Sequence, residues 1–97
     1  MDETSVREQA EIHGKATVSG DLRTAGSALT KEAMAQAPDV MKAMPATLEA
    51  SEVTSVEPDG DEFVAQIRYS GGGEESIVAS RWAERDGAPK IVDLKVL

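Results

Sequence analysis

The chain has 97 residues, with 18 Asp plus Glu against 10 Lys plus Arg, one His, one each of Phe, Trp and Tyr, and no Cys. This length fits one domain over residues 1–97. The net charge of −8 argues against nucleic acid or an anionic membrane surface as partner, and the lack of Cys excludes a disulfide framework, a thiolate nucleophile, an iron–sulfur cluster and a Cys-based zinc site.

Residues 1–20 hold no apolar run, so no secretory signal is expected. No stretch reaches the length of a membrane span, and the expected location is cytoplasmic. The charge is uneven. Residues 1–48 carry −2, residues 49–75 carry −7 and residues 76–97 carry +1. The chain is rich in Ala, Met, Lys and Glu up to Pro45 and rich in Val and Ile after it. Helices first and strands second point to an α+β fold, with helices over about 5–44 packed on a sheet over about 47–97.

Ser5 and Glu8 have capping-box spacing, which predicts a helix over about Val6–Val18. Its inner face would hold Val6, Gln9, Ala10, His13, Ala16 and Thr17. Asp21 can cap a short second helix with Leu22, Ala25, Gly26 and Leu29 inward. Thr30 can restart the chain into Lys31–Ala37. Pro38 suits the first turn of a further helix ending at Met44, before Pro45. Val40, Met41 and Met44 form the apolar side of that helix.

Three turn signals follow: Glu57-Pro58-Asp59-Gly60-Asp61, Ser70-Gly71-Gly72-Gly73-Glu74 and Arg85-Asp86-Gly87-Ala88-Pro89. They separate four strands, about Thr47–Val56, Glu62–Tyr69, Glu75–Glu84 and Lys90–Leu97. Short connections make these an antiparallel meander in the order 1-2-3-4. A three-residue Arg85-Asp86-Gly87 loop puts Trp82 on the face of Val92 and Leu94, and Arg81 on the face of Asp93 and Lys95. A loop of even length swaps the two faces. Apolar residues on both faces imply that helices cover one and a partner the other, with a homodimer through the sheet as the expected assembly.

His13 is the one group that titrates near neutral pH when unperturbed. It is a candidate general base or ligand contact, or else a core histidine satisfied by a carbonyl or by Thr17. Its i±3 and i±4 neighbours are Gln9, Ala10, Ala16 and Thr17, so no helical metal site is expected. No Gly-x-Ser-x-Gly elbow is present. The Gly71-Gly72-Gly73 run lacks the Lys-Ser/Thr of a phosphate loop and reads as a hairpin turn. Asp59, Asp61 and Glu62 lack the spacing of a calcium loop. Arg81 and Asp93 lie within strands and could face each other, either as a cross-strand ion pair or as an electrostatic support and a base in a cleft. Phe63, Tyr69 and Trp82 are candidates to line a pocket with His13, and equally the main aromatic bulk of the core.

The layout, with Val18-Ser19-Gly20-Asp21-Leu22, Leu29-Thr30, Arg81-Trp82-x-Glu84-Arg85-Asp86-Gly87 and Lys90-Ile91-Val92-Asp93-Leu94, resembles the nuclear transport factor 2-like superfamily, including its SnoaL-like and ketosteroid isomerase-like branches. The resemblance implies a cone-shaped, cystatin-like α+β fold, a pocket between the helices and a concave sheet, and homodimers through the sheet. Fuller members place two short strands and a helix between the positions of Leu29 and Leu48. Here the signals are helical only, so a four-stranded sheet and a smaller pocket are expected. The acid–base pair of the isomerase branch and the Asp-Arg-Asp arrangement of the epoxide hydrolase branch do not map onto this sequence. The expected function is therefore non-catalytic, through a small apolar ligand or homodimerisation, with no cofactor. The alternatives are an isomerase or hydrolase using His13 or Asp93 with Arg81, and a protein-interaction module using an acidic sheet edge.

Overall fold

The computed structural model describes all 97 residues. Three helices, α1 (Glu3–Ser19), α2 (Leu22–Ser27) and α3 (Lys31–Ala43), precede four strands, β1 (Ala50–Asp59), β2 (Glu62–Gly71), β3 (Glu74–Arg85) and β4 (Ala88–Val96). The strands form one antiparallel sheet in the order β1-β2-β3-β4. No helix is long and apolar enough to cross a membrane.

Each helix starts on a side chain that accepts from an otherwise free backbone N–H. Asp2, and not Ser5, caps α1, with its Oδ1 2.8 Å from Ser5 N. The helix therefore begins a turn earlier than the capping-box spacing predicts. Asp21 caps α2 and Thr30 caps α3. Pro38 does not open a fourth helix. It lies inside α3, which runs unbroken from Lys31 to Ala43. Pro38 has no N–H to donate, so the Met34 carbonyl loses its usual partner within the helix.

The inner face of the sheet meets α1. Val6, Ala10, His13, Gly14 and Ala16 are buried along that helix, while Gln9, placed inward by the helical pattern, is exposed. Ala65, Ile67 and Tyr69 of β2, Val78, Ser80 and Trp82 of β3, and Ile91 of β4 form the facing layer. Trp82 is fully buried, and its indole N–H donates to Ser80 Oγ at 2.9 Å. Ser80 in turn donates to the Ala65 carbonyl at 2.8 Å. The largest core side chain thus brings its polar atom into the apolar layer already satisfied.

The β3–β4 turn corrects the sequence reading in two steps that cancel. The loop has two residues, Asp86 (φ 54°) and Gly87 (φ 80°), between the paired Arg85 and Ala88. This even length alone would exchange the faces. A register shift between Arg81 and Trp82 then leaves Val92 as an extra residue, so that Trp82 pairs with Ile91, Arg81 with Asp93 and Ser80 with Leu94. Such a bulge flips the pleat once more. Trp82 consequently shares the inner face with Ile91 and Leu94, and Arg81 shares the outer face with Asp93 and Lys95.

As an edge strand, β4 would expose unpaired backbone groups. The α2–α3 link and α3 cover it. Ile91 N donates to the Ala28 carbonyl at 2.7 Å, and Thr30 N donates to the Ile91 carbonyl at 3.0 Å. Further along, the Gln36 amide accepts from Leu94 N and donates to Asp93 Oδ1, both at 2.8 Å. Near its end, the Ala43 carbonyl accepts from Ser76 Oγ at 3.0 Å. Helix α3 is therefore hung along the rim of the sheet and does not lie flat on its centre.

Candidate functional site

The space left beneath α3 is a cavity of about 230 Å³, partly open to solvent. Its walls come from every layer of the fold. His13 and Thr17 of α1 form one side, and Leu22, Ala25 and Gly26 of α2 another. Met34, Ala37, Val40 and Met41 of α3, with Met44 just past its end, form the roof. Tyr69, Val78 and Leu94 form the floor, with Leu29 and Leu48 contributed by connecting segments. Twelve of the fifteen lining residues are hydrophobic, so the few polar atoms present set what orientation a guest can take.

His13 is 9% exposed. Its Nδ1 lies 3.1 Å from the Ala25 carbonyl. A carbonyl only accepts, so Nδ1 holds the proton and the neutral ring presents Nε2 as an acceptor. Burial pulls the His13 pKa below its ordinary value, with the Ala25 carbonyl partly opposing. The neutral ring is thus the form present at pH 7. Trp82 stands edge-on behind the imidazole, with ring centroids 6.4 Å apart and planes at 84°. Thr17 donates its hydroxyl to the His13 carbonyl at 2.8 Å. Burial raises the Tyr69 phenol pKa, and the Thr17 hydroxyl partly offsets it, so Tyr69 is also neutral.

Of the aromatic candidates, Tyr69 lines the cavity with His13. Trp82 and Phe63 do not. Trp82 is sealed into the core, and Phe63 packs beside it as its cross-strand partner. Arg81 and Asp93 are paired in register but form no ion pair with each other. Arg81 instead bridges Asp59 at 2.9 Å and Glu62 at 3.1 Å on the β1–β2 hairpin, which raises its pKa. Asp93 takes the Gln36 amide. Both lie on the outer face of the sheet, opposite His13. The three residues considered for acid–base chemistry therefore do not converge on one volume. On the same outer face, Glu52 of β1 pairs with Arg68, and Glu57 is exposed. No cluster of His, Asp and Glu has metal-binding geometry.

The helical pattern marked His13, Ala25, Val40, Met41 and Met44 as inward. It gave no sign that Met34, Leu48 and Leu94 would join them around one void. The signal was an apolar side of α3 that the narrow β4 edge cannot cover, visible as the half-exposed Met34 and Met41.

No protein-family model matches the chain, and no curated protein matches it. Among solved structures, it is similar to an NTF-2-like protein of unknown function from Burkholderia xenovorans LB400. The TM-score is 0.65 at 18% identity, over 98% of this chain and 83% of that one. At this identity the likeness carries architecture and not activity. Three helices on a four-stranded antiparallel sheet, matched over nearly the whole chain, give this protein the α+β fold of the nuclear transport factor 2-like (NTF-2-like) proteins.

Proposed function

We propose that this domain binds a small apolar molecule in the cavity between α1, α2, α3 and the sheet. The observation that carries the reading is the void itself, about 230 Å³ walled mainly by aliphatic and Met side chains. Unfilled apolar space is costly. At about 24 cal/mol per Å³, a dry, rigid void of this size would forfeit up to about 5.5 kcal/mol, and partial opening to solvent lowers that bound. Domains are stable by only about 5–15 kcal/mol, so a guest that fills the space would stabilise this one measurably. The three Met side chains suit such a role, because unbranched thioethers adapt to guests of different outline. The separation of His13 from Arg81 and Asp93 favours binding over an isomerase or hydrolase mechanism. Calorimetric titration with a one- or two-ring hydrocarbon tests the reading. Saturable binding that is lost in Gly26→Leu, which projects a side chain into the cavity from α2, is the expected result. Absence of binding to the parent protein refutes it.

A second reading concerns the outer face. Val64, Ile77 and Ala79 are half-buried at its centre, and Arg68, Arg81 and Lys95 lie among Glu52, Glu57 and Asp93. A face with both signs around an apolar centre can match a second copy of itself across a two-fold axis. Sedimentation of the parent as a dimer, and of Ile77→Asp as a monomer, is expected. A parent that remains monomeric at high concentration refutes this reading.

A further inference from the structure

The guest has more chemistry written into the cavity than its apolar walls specify. His13 is nine-tenths buried, and Nδ1 is committed to the Ala25 carbonyl. No protein donor reaches Nε2, yet that atom is not sealed from solvent. The cavity is the space that His13 lines, so the ring offers an unused acceptor to whatever enters. An acceptor that a guest leaves unpaired loses its hydrogen bond to water on binding, whereas a donor placed there restores it.

The same walls exclude charge. The polar side chains among the lining residues are His13, Thr17 and Tyr69. Neither a Lys nor an Arg is present to hold a carboxylate or phosphate, and neither an Asp nor a Glu to hold an ammonium. Size narrows the class further. An apolar cavity of about 150 Å³ holds benzene, and drug-sized ligands need roughly 300–1,000 Å³. A cavity of about 230 Å³ fits one or two fused rings, or an aliphatic body of similar bulk.

We propose that the ligand is an uncharged molecule of one or two rings, or of equal aliphatic bulk, carrying a hydroxyl or N–H that donates to Nε2 of His13. This rests on the cavity being a binding site and adds the chemical class of its occupant. His13 acts here as an orienting acceptor, with Ala25 fixing its tautomer and Trp82 its ring plane.

Three probes of similar outline separate the possibilities: 2-naphthol, 2-methylnaphthalene and 2-naphthoate. Partition from water alone favours the methyl compound. An acceptor in the wall reverses this, and 2-naphthol is expected to bind about tenfold tighter than 2-methylnaphthalene. The anion 2-naphthoate is expected to bind weakest of the three. In His13→Phe the preference for 2-naphthol should disappear while 2-methylnaphthalene still binds. Because the protein has one histidine, its ring ¹⁵N spectrum provides a readout in the unmodified chain. Saturating 2-naphthol should move the Nε2 resonance toward that of a hydrogen-bonded acceptor, and 2-methylnaphthalene should not. If both neutral probes bind without preference and Nε2 stays unmoved, the acceptor role is overturned and the cavity reading stands. Tightest binding by 2-naphthoate overturns the uncharged class. If no probe binds, the cavity reading fails and the inference fails with it.

Discussion

Gly71, Gly72 and Gly73 sit side by side, but the structure asks different things of them. Gly72 (φ 59°) and Gly73 (φ 81°) form the two-residue turn between the paired Gly71 and Glu74. Gly71 does not need a positive φ. Its constraint is the Thr47 backbone, since a Cβ at Gly71 would stand 1.9 Å from the Thr47 carbonyl oxygen and 2.8 Å from its carbon. Glu49 N donates to the Ser70 carbonyl at 2.8 Å beside this crossing, and Leu48 there lines the cavity. Gly71→Ala must push the segment away. Overpacking costs about 1–3 kcal/mol, and losing the neighbouring hydrogen bond about 0.5–1.5 kcal/mol more, for a total of about 1.5–4.5 kcal/mol. Gly72→Ala meets no atom within 4 Å and incurs the cost of a left-handed alanine alone, about 1–2 kcal/mol. Urea unfolding of both variants reads the difference, provided the m-value is unchanged. Asparagine separates the causes, because it tolerates the left-handed region. Gly72→Asn should recover most of the lost stability, and Gly71→Asn none. Rescue at Gly71, or a Gly71→Ala cost no larger than that of Gly72→Ala, would refute the steric explanation.

Protonation of His13 should make stability depend on pH. Its folded-state pKa lies below the ordinary value of 6.5, so between the two values the unfolded chain binds more protons. Its contribution is present above about pH 6.5 and is lost as pH falls toward the folded value, with a slope of up to about 1.4 kcal/mol per pH unit. Urea midpoints for the parent and His13→Gln across this range should diverge on the acid side, and parallel curves would contradict the buried neutral ring. Gln36→Ala removes both bonds to β4 and should cost about 1–2 kcal/mol, with faster amide exchange at Leu94. Unchanged exchange there would mean that α3 does not cover this edge. Ser80→Ala leaves the buried Trp82 N–H without its partner and should cost about 1–3 kcal/mol. A neutral result by urea unfolding would show that water or repacking replaces the hydroxyl.

Local chemistry made much of the architecture legible. Asp21 and Thr30 cap the helices that their positions suggest, and the three turn clusters divide four strands in meander order. What the sequence concealed was geometry beyond a few residues. Asp2 competes with Ser5 for the start of α1, and one additional turn of helix decides between them. Pro38 is tolerated within α3 despite a lost hydrogen bond, because Thr30, Gln36 and Ala43 tether the helix at three points. The three-residue loop expected at Arg85-Asp86-Gly87 pairs the face of Trp82 with Val92 and Leu94; the two-residue turn and the Val92 bulge put Ile91 there in place of Val92 and keep Leu94, while Arg81 retains the face of Asp93 and Lys95. His13 was readable as an inward residue from periodicity alone. The cavity beside it was not, because no pattern of apolar residues states how far a helix stands from the sheet it faces.

The methionines allow the binding proposal to be tested in one spectrum. Of the four in the chain, Met34, Met41 and Met44 line the cavity, and Met1 lies outside it. Titrating ¹³C-methyl-methionine protein with 2-naphthol should shift the three cavity resonances together to saturation and leave Met1 in place. Four unmoved resonances, or a Met1 shift as large as the others, would contradict ligand binding beneath α3.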